Sequence, residues 1–215
     1  MWFWTLCSLG LAGILDLVAG ALMVHLLSEY FAYPLSWWQY AIGAFLGASP
    51  DVDLFYGFFK KKASGHHEYL THRPILGVPF AAVVGWLLGG EFWAIAAGVG
   101  VFWHYLHDTE GFLGLEGGIA WFWPFSQKHW CVKNCRVISK MPEEHREGEG
   151  NPYDWFYESY LSPTRRSITE LTLTSIFSGY VIGDVFGFYF GLAATALFWL
   201  AVAELWIVYR RPVRI

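Results

Sequence analysis

Long apolar runs separated by short polar windows set the frame of this chain. The runs cover about 1–28, 36–49, 74–90, 91–107, 168–190 and 191–209. An α-helix needs roughly 20 apolar residues to cross the bilayer core, with about 17 the lower limit, so all but the short 36–49 qualify. Their order predicts three helical hairpins, pairing 1–28 with 36–49, 74–90 with 91–107, and 168–190 with 191–209. The expected turns fall around Glu29–Trp38, Gly89–Glu91 and Phe188–Gly191. The expected fold is therefore all-α: a polytopic transmembrane bundle of about six membrane helices, the second short. Residues 1–215 count as one membrane domain, with 109–167 a cytoplasmic or interfacial insert between the fourth and fifth helices.

Charge layout gives this frame an orientation. No Lys or Arg occurs in 1–59, 74–127 or 167–209, and all 14 lie in 60–73, 128–166 and 210–214. Cationic heads are costly in hydrocarbon, so these three windows are the aqueous parts. Each expected turn lies on the face without them, and basic loops mark the cytoplasmic side. The expected location is a prokaryotic inner membrane, with multiple passes and both termini cytoplasmic. Composition agrees: 55% of residues are hydrophobic and 15% charged, where a soluble domain carries about a quarter. MWFWTLCSLG lacks a basic start, and the run that follows is too long for a cleaved signal peptide.

The insert opens with GFLGLEGGIAWFWPFS, whose aromatics suit a membrane-interface belt. It closes with YDWFYESYL, which reads as an interfacial amphipathic helix. His129, Cys131 and Cys135 form an HxCxxxC set with no evident fourth ligand, and ordinary loop residues explain it as well. Glycines within the spans, such as Gly43, Gly47 and Gly100, read as close helix packing.

The polar residues worth locating are Asp16, His25, Asp51, Asp53, His66, His67, His72, His104, His107 and Asp108. In a helical hairpin, residues equally far from the turn share a depth, at about 1.5 Å per residue. From a turn centred near Tyr33, Asp16 stands 17 residues back and Asp51 18 forward. From one near Gly90, His72 stands 18 back, His104 14 forward and Asp108 18 forward. Two hairpins thus put carboxylates and imidazoles on one level toward the cytoplasmic face. His25 stands roughly 14 Å from the level of Asp16 and reads as a helix-packing or outer-leaflet residue. Asp16, a carboxylate inside an apolar segment, is a functional candidate by default. Asp184 and Glu204 are further intramembrane acids on the third hairpin.

Local spacing suits coordination. His104 and Asp108 share a helix face at i and i+4, with His107 close to it. An extended backbone after Pro50 would aim Asp51 and Asp53 to one side. Mixed carboxylate and imidazole ligation suits zinc, manganese or iron better than calcium. The bland readings are an aspartate N-cap in GASPDVD and a helix end reaching water in HDTEG.

The ordered runs PDVD, HEYLTH, HYLHD and WPFS resemble the prokaryotic membrane-bound metal-dependent hydrolase family, which includes LexA-regulated inner-membrane hydrolases. Its LPDxD motif corresponds to SPDVD with Asp51 and Asp53. HRGxTHS corresponds to HEYLTHR with His67, Thr71 and His72, and SHxxxD to WHYLHD with His104 and Asp108. The family's first-helix histidine precedes a glycine by four residues, a spacing held here by Asp16 and Gly20. Its Arg-Gly pair is Glu68-Tyr69 and its last serine is Arg73, so substrate contacts differ. The resemblance covers about residues 16–126.

Together these features imply a metal-dependent hydrolase at the cytoplasmic membrane face. Its expected ligands are Asp16, Asp51, Asp53, His67, His72, His104 and Asp108, holding one or two divalent ions, with zinc or manganese foremost. Glu68 or His107 is the expected general base or orienting residue. Membrane lipids are expected partners, and the expected substrate is a small-molecule or lipid ester or phosphoester, with no nucleic acid. Arg73 and the Lys60–Lys62 run could attract an anionic headgroup. The rivals are a metal-ion or proton-coupled transporter, which needs polar residues through both leaflets, and a non-catalytic membrane scaffold.

Overall fold

The structure, a computed structural model, describes residues 2–53, 69–109, 118–131, 136–138 and 160–210. Five α-helices dominate it: α1 (Trp2–Tyr30), α2 (Trp37–Ala48), α3 (Pro74–Thr109), α4 (Arg165–Phe186) and α5 (Phe188–Arg210). Two short strands that the all-helical reading omits, β1 (His129–Cys131) and β2 (Arg136–Ile138), pair antiparallel within the insert. They were illegible because three-residue strands carry too little alternation to register. The expected helix at YDWFYESYL falls mainly outside the described residues.

Local chemistry explains the boundaries. Ser36 and Gln39 form a capping box at the start of α2, with the Ser36 N–H donating to Gln39 Oε1 at 2.6 Å. Its end is set by Ser49-Pro50, where proline cannot continue the ladder and the chain tightens into a 3-10 turn over Ser49–Asp51. Pro74 opens α3, where a missing N–H costs nothing. Gly90, at φ 79° and ψ −161°, interrupts α3. A Cβ on Gly85 would collide with the Trp93 backbone and one on Gly77 with the Tyr105 side chain, so the two arms of α3 lie side by side. Thr164 caps α4, its Oγ1 accepting from Ser167 N–H at 3.1 Å. The break between α4 and α5 comes at Gly187, one residue before the expected Phe188–Gly191 turn. There φ is 105°, which an L side chain resists, so glycine sets the position.

Among the described residues, three helices are long and apolar enough to cross a membrane, over Leu6–Tyr30, Pro74–Thr109 and Phe188–Tyr209. The polar content of α4 keeps it out of that group. Three of its hydroxyls donate back into the helix: Thr169 to Arg165 O at 2.8 Å, Thr172 to Ile168 O at 2.6 Å and Ser178 to Thr174 O at 2.8 Å.

Close backbone approach holds the helices in register. In lipid, helices associate through packing of small residues rather than through a hydrophobic driving force. A Cβ on Gly20 of α1 would collide with Gly43 O of α2, and one on Gly47 with Asp16 O. A Cβ on Gly100 of α3 would stand 3.3 Å from the Leu46 side chain. At the other end Tyr33 stacks on Phe92 with ring centroids 4.1 Å apart, so the α1–α2 connection and the Gly90 break share a level. Trp4 meets Tyr209 at 5.3 Å, bringing the start of α1 beside the end of α5.

Candidate metal centre

The glycine contacts position the polar residues. Asp16 lies one turn before Gly20, Asp51 one turn after Gly47, and His104 one turn after Gly100, with Asp108 a turn further. Where three backbones touch, side chains one turn away must meet. His72 arrives from a 3-10 turn over Leu70–His72, anchored by the Tyr105 hydroxyl donating to Thr71 O at 2.6 Å. Tyr105 thus ties the neighbour of His72 to the neighbour of His104.

Four of these residues offer ligand atoms that all lie within 4.8 Å of one another: Asp51, His72, His104 and Asp108. His72 Nε2 stands 3.4 Å from His104 Nε2, 3.5 Å from Asp51 Oδ1 and 3.4 Å from Asp108 Oδ2. His104 Nε2 stands 3.4 Å from Asp51 Oδ1 and 3.1 Å from Asp108 Oδ2. Bonds of about 2.0–2.1 Å to one tetrahedral ion would space its ligands by about 3.3–3.4 Å. The donor set and its spacing therefore fit a zinc-like ion. Both imidazoles are fully buried, while the Asp51 and Asp108 side chains are 24% and 17% exposed, so access is from the carboxylate side.

The opposite ring nitrogens settle the tautomers. His104 Nδ1 lies 3.0 Å from Gly47 O, and a carbonyl only accepts, so Nδ1 carries the proton and Nε2 faces the cluster. His72 Nδ1 donates to Asp53 Oδ2 at 2.8 Å, and that carboxylate also accepts from the Thr71 hydroxyl. Such partners orient imidazole ligands and raise their basicity.

Asp53 therefore stands behind His72 rather than among the four ligand atoms. The reason is local: the expected extended backbone at Asp51–Asp53 is helical, with Ser49–Asp51 a 3-10 turn and Val52 at φ −56° and ψ −25°. The two carboxylates consequently point to opposite nitrogens of one imidazole.

Asp16 is likewise placed behind the group, 3.5 Å from His104 Nδ1. It accepts from Trp103 Nε1 at 3.1 Å and faces His107 Nδ1 at 2.9 Å. An ionised aspartate at a helix centre costs about 2.5–3.5 kcal/mol on insertion scales, and these partners offset it. His107 has its other nitrogen 3.7 Å from Glu170 Oε1. Glu170 in turn holds Arg166 at 2.5 Å and the Tyr160 hydroxyl at 2.6 Å. His107 is thus held at Nδ1 by Asp16, with Glu170 near its other nitrogen behind the cluster.

Electrostatics follows from this crowding. Burial pushes the Asp51 carboxyl up, but His104 and His72 outweigh it and hold it below the usual carboxylate range. Burial opposes a charge on His72, yet its bonds to Asp108, Asp51 and Asp53 raise its pKa well above the ordinary imidazole value.

His66, His67, Glu68 and the Lys60–Lys62 run lie outside the described residues. Arg73 is buried with its guanidinium 5.7 Å from the Trp123 ring centroid, joining the His72 turn to the insert. His129 donates Nδ1–H to Gly118 O at 3.2 Å. Glu204 is exposed, and His25 meets Asp184 away from this centre. Glu170, Trp103 and the Gly47 carbonyl were not singled out from sequence. Glu170 carried the one available signal, an acid inside a segment expected to span.

These features define a helical membrane protein with a histidine–aspartate cluster at one level of its helices. The chain belongs to the YdjM inner membrane protein family, whose family model matches residues 12–147, a stretch that holds all four clustered residues. No curated protein and no solved structure matches the chain.

Proposed function

We propose that the protein is a membrane-embedded, metal-dependent hydrolase acting on an ester or phosphoester, a lipid among the candidates, at the cytoplasmic membrane face. The observation that carries this reading is the meeting of two Nε2 atoms and two carboxylate oxygens, each Nε2 within 3.1–3.5 Å of both oxygens, with both Nδ1 atoms committed elsewhere. Asp51, His72, His104 and Asp108 would hold a divalent ion, zinc or manganese foremost. Bound there, such an ion supplies Lewis acidity and makes water nucleophilic near neutral pH.

The chain's own groups have separable tasks. Asp51 and Asp108 balance the charge of a divalent cation and admit substrate from their exposed side. Asp53 and the Gly47 carbonyl fix the imidazoles, and Asp16 with His107 supports them from behind. Glu68 or His107 is the general base proposed from sequence, and the hold of Asp16 on His107 Nδ1 favours Glu68 for that task. The Arg73–Trp123 contact brings the insert beside the site, where an interfacial substrate would arrive.

The topology that accompanies this reading has six membrane helices in three hairpins, with the arms of α3 as the third and fourth and α4 as the fifth. Both termini and the metal centre would face the cytoplasm, in line with the meeting of Trp4 and Tyr209 and with the basic windows. Membrane lipids are then the immediate partners.

A transporter is the second reading, favoured by another group of His25 and Glu29 further along α1 with Asp184 of α4. The test is a panel of chromogenic esters and phosphoesters given to the purified full chain, stripped of metal and then resupplied with zinc or manganese. Metal-dependent turnover abolished by Asp108→Asn supports the hydrolase. Metal flux into proteoliposomes with no turnover of any ester would replace it with the transporter.

A further inference from the structure

We propose a second divalent-cation site, built by His25 and Glu29 of α1 and Asp184 of α4, at the opposite level of the helices from the first centre. Nine residues of helix separate His25 from Asp16, roughly 14 Å along the axis. The ligand atoms of the three side chains lie within 4.8 Å of one another. His25 Nε2 stands 3.3 Å from Asp184 Oδ2 and 3.9 Å from Glu29 Oε1.

A pair of acids near a surface is no site by itself. What distinguishes this one is the imidazole, only 3% exposed and aimed at both carboxylates, with an Nε2 that has no hydrogen-bond partner among the described residues. Its other face is fixed. Nδ1 lies 3.1 Å from the Tyr40 hydroxyl, and the ring packs edge-on against Tyr180 at 5.8 Å. When Nδ1–H donates to the Tyr40 oxygen, Nε2 presents a lone pair to the space between the acids. This repeats the construction of the first centre, where Nδ1 is tied back and Nε2 looks toward two carboxylates.

The difference lies in access. The Glu29 and Asp184 side chains are 49% and 50% exposed, so water would complete the coordination. Two carboxylates neutralise one divalent charge, and one imidazole with oxygen donors suits zinc or manganese. An ion here would also bridge α1 to α4, which sequence separates widely.

The test is zinc binding to the tag-free, full-length protein in detergent, stripped with chelator and titrated by calorimetry and equilibrium dialysis. Two equivalents are expected in the wild type. Asp184→Asn, a change at a half-exposed side chain that spares the core, should remove one equivalent and leave the other, and His25→Gln should do the same. Tyr40→Phe should weaken that equivalent by about 10- to 100-fold. Asp108→Asn should remove the other equivalent and spare this one, so the two sites fail separately. A wild-type stoichiometry that Asp184→Asn leaves unchanged overturns the proposal. Zinc retained by Asp108→Asn but lost in Asp184→Asn supports it even if no ion binds the first centre.

Discussion

The Nε2 atoms of His72 and His104 lie 3.4 Å apart, although 32 residues of chain separate them. Two neutral imidazoles gain nothing from facing lone pair to lone pair at that distance. A shared ion, or protons shared with Asp51 and Asp108, resolves the contact.

The orienting groups can be tested apart from the ligands. Asp53→Ala removes the acceptor of His72 Nδ1–H but no ligand atom. Zinc stoichiometry at the first centre should persist while affinity falls about 10- to 100-fold, measured by competition with a chelating dye. Unchanged affinity would show that the His72–Asp53 contact does no orienting.

Asp16 separates two accounts of the same cluster. If it were a ligand, as its depth and spacing imply, Asp16→Ala would abolish binding in the manner of Asp108→Asn. Its placement at His104 Nδ1, Trp103 and His107 predicts retained stoichiometry with reduced affinity. Dialysis of the two variants side by side distinguishes these outcomes.

The glycine contacts predict a packing effect on the site. Gly47→Ala would drive a methyl group into the Asp16 carbonyl and the Gly20 backbone. Overpacking of this kind costs about 1–3 kcal/mol. A lower Tm together with weaker zinc binding is expected, because Gly47 O also holds His104. Gly10→Ala, where no neighbour lies within 4 Å, should change neither.

Metal and protons should compete at His72. Burial disfavours its charged form, but the bonds to Asp108, Asp51 and Asp53 prevail and its pKa is raised well above the usual value. A raised folded pKa gives stability that is complete below the unfolded value of about 6.5 and is lost as pH rises through the folded one. Zinc needs Nε2 bare, so its binding releases protons and strengthens with pH. Melting curves from about pH 6 to about pH 9 should show metal-free protein losing stability while the gain from zinc grows. Metal-free protein that becomes more stable on the alkaline side would contradict this assignment.

Much of the architecture was open to sequence reading because bilayer thickness fixes helix length and lysine exclusion marks the ends. The helix bounds at Ala48 and Pro74 and the break at Gly90 follow from proline and glycine chemistry. The shared level of Asp51, His72 and Asp108 could be counted from the turns. Their division into ligand and support could not. Asp51 and Asp53 differ in role because the backbone after Pro50 is helical, and no residue pattern there announced it. Gly47 contributes a carbonyl, which carries no side-chain signature. Glu170 stood out only as an acid inside an expected span, and its partner His107 depends on the rotation of α4, which packing between helices sets. His25 was counted from the turn as a helix-packing or outer-leaflet residue, and its company with Asp184 required knowing how α4 lies against α1.

The most direct test of the central claim is zinc bound by chelator-stripped, full-length protein after dialysis, comparing wild type with Asp108→Asn and His72→Ala, each checked for folding by its melting curve. Each variant should lose one equivalent relative to wild type. Equal zinc in all three folded proteins would contradict a metal centre at Asp51, His72, His104 and Asp108.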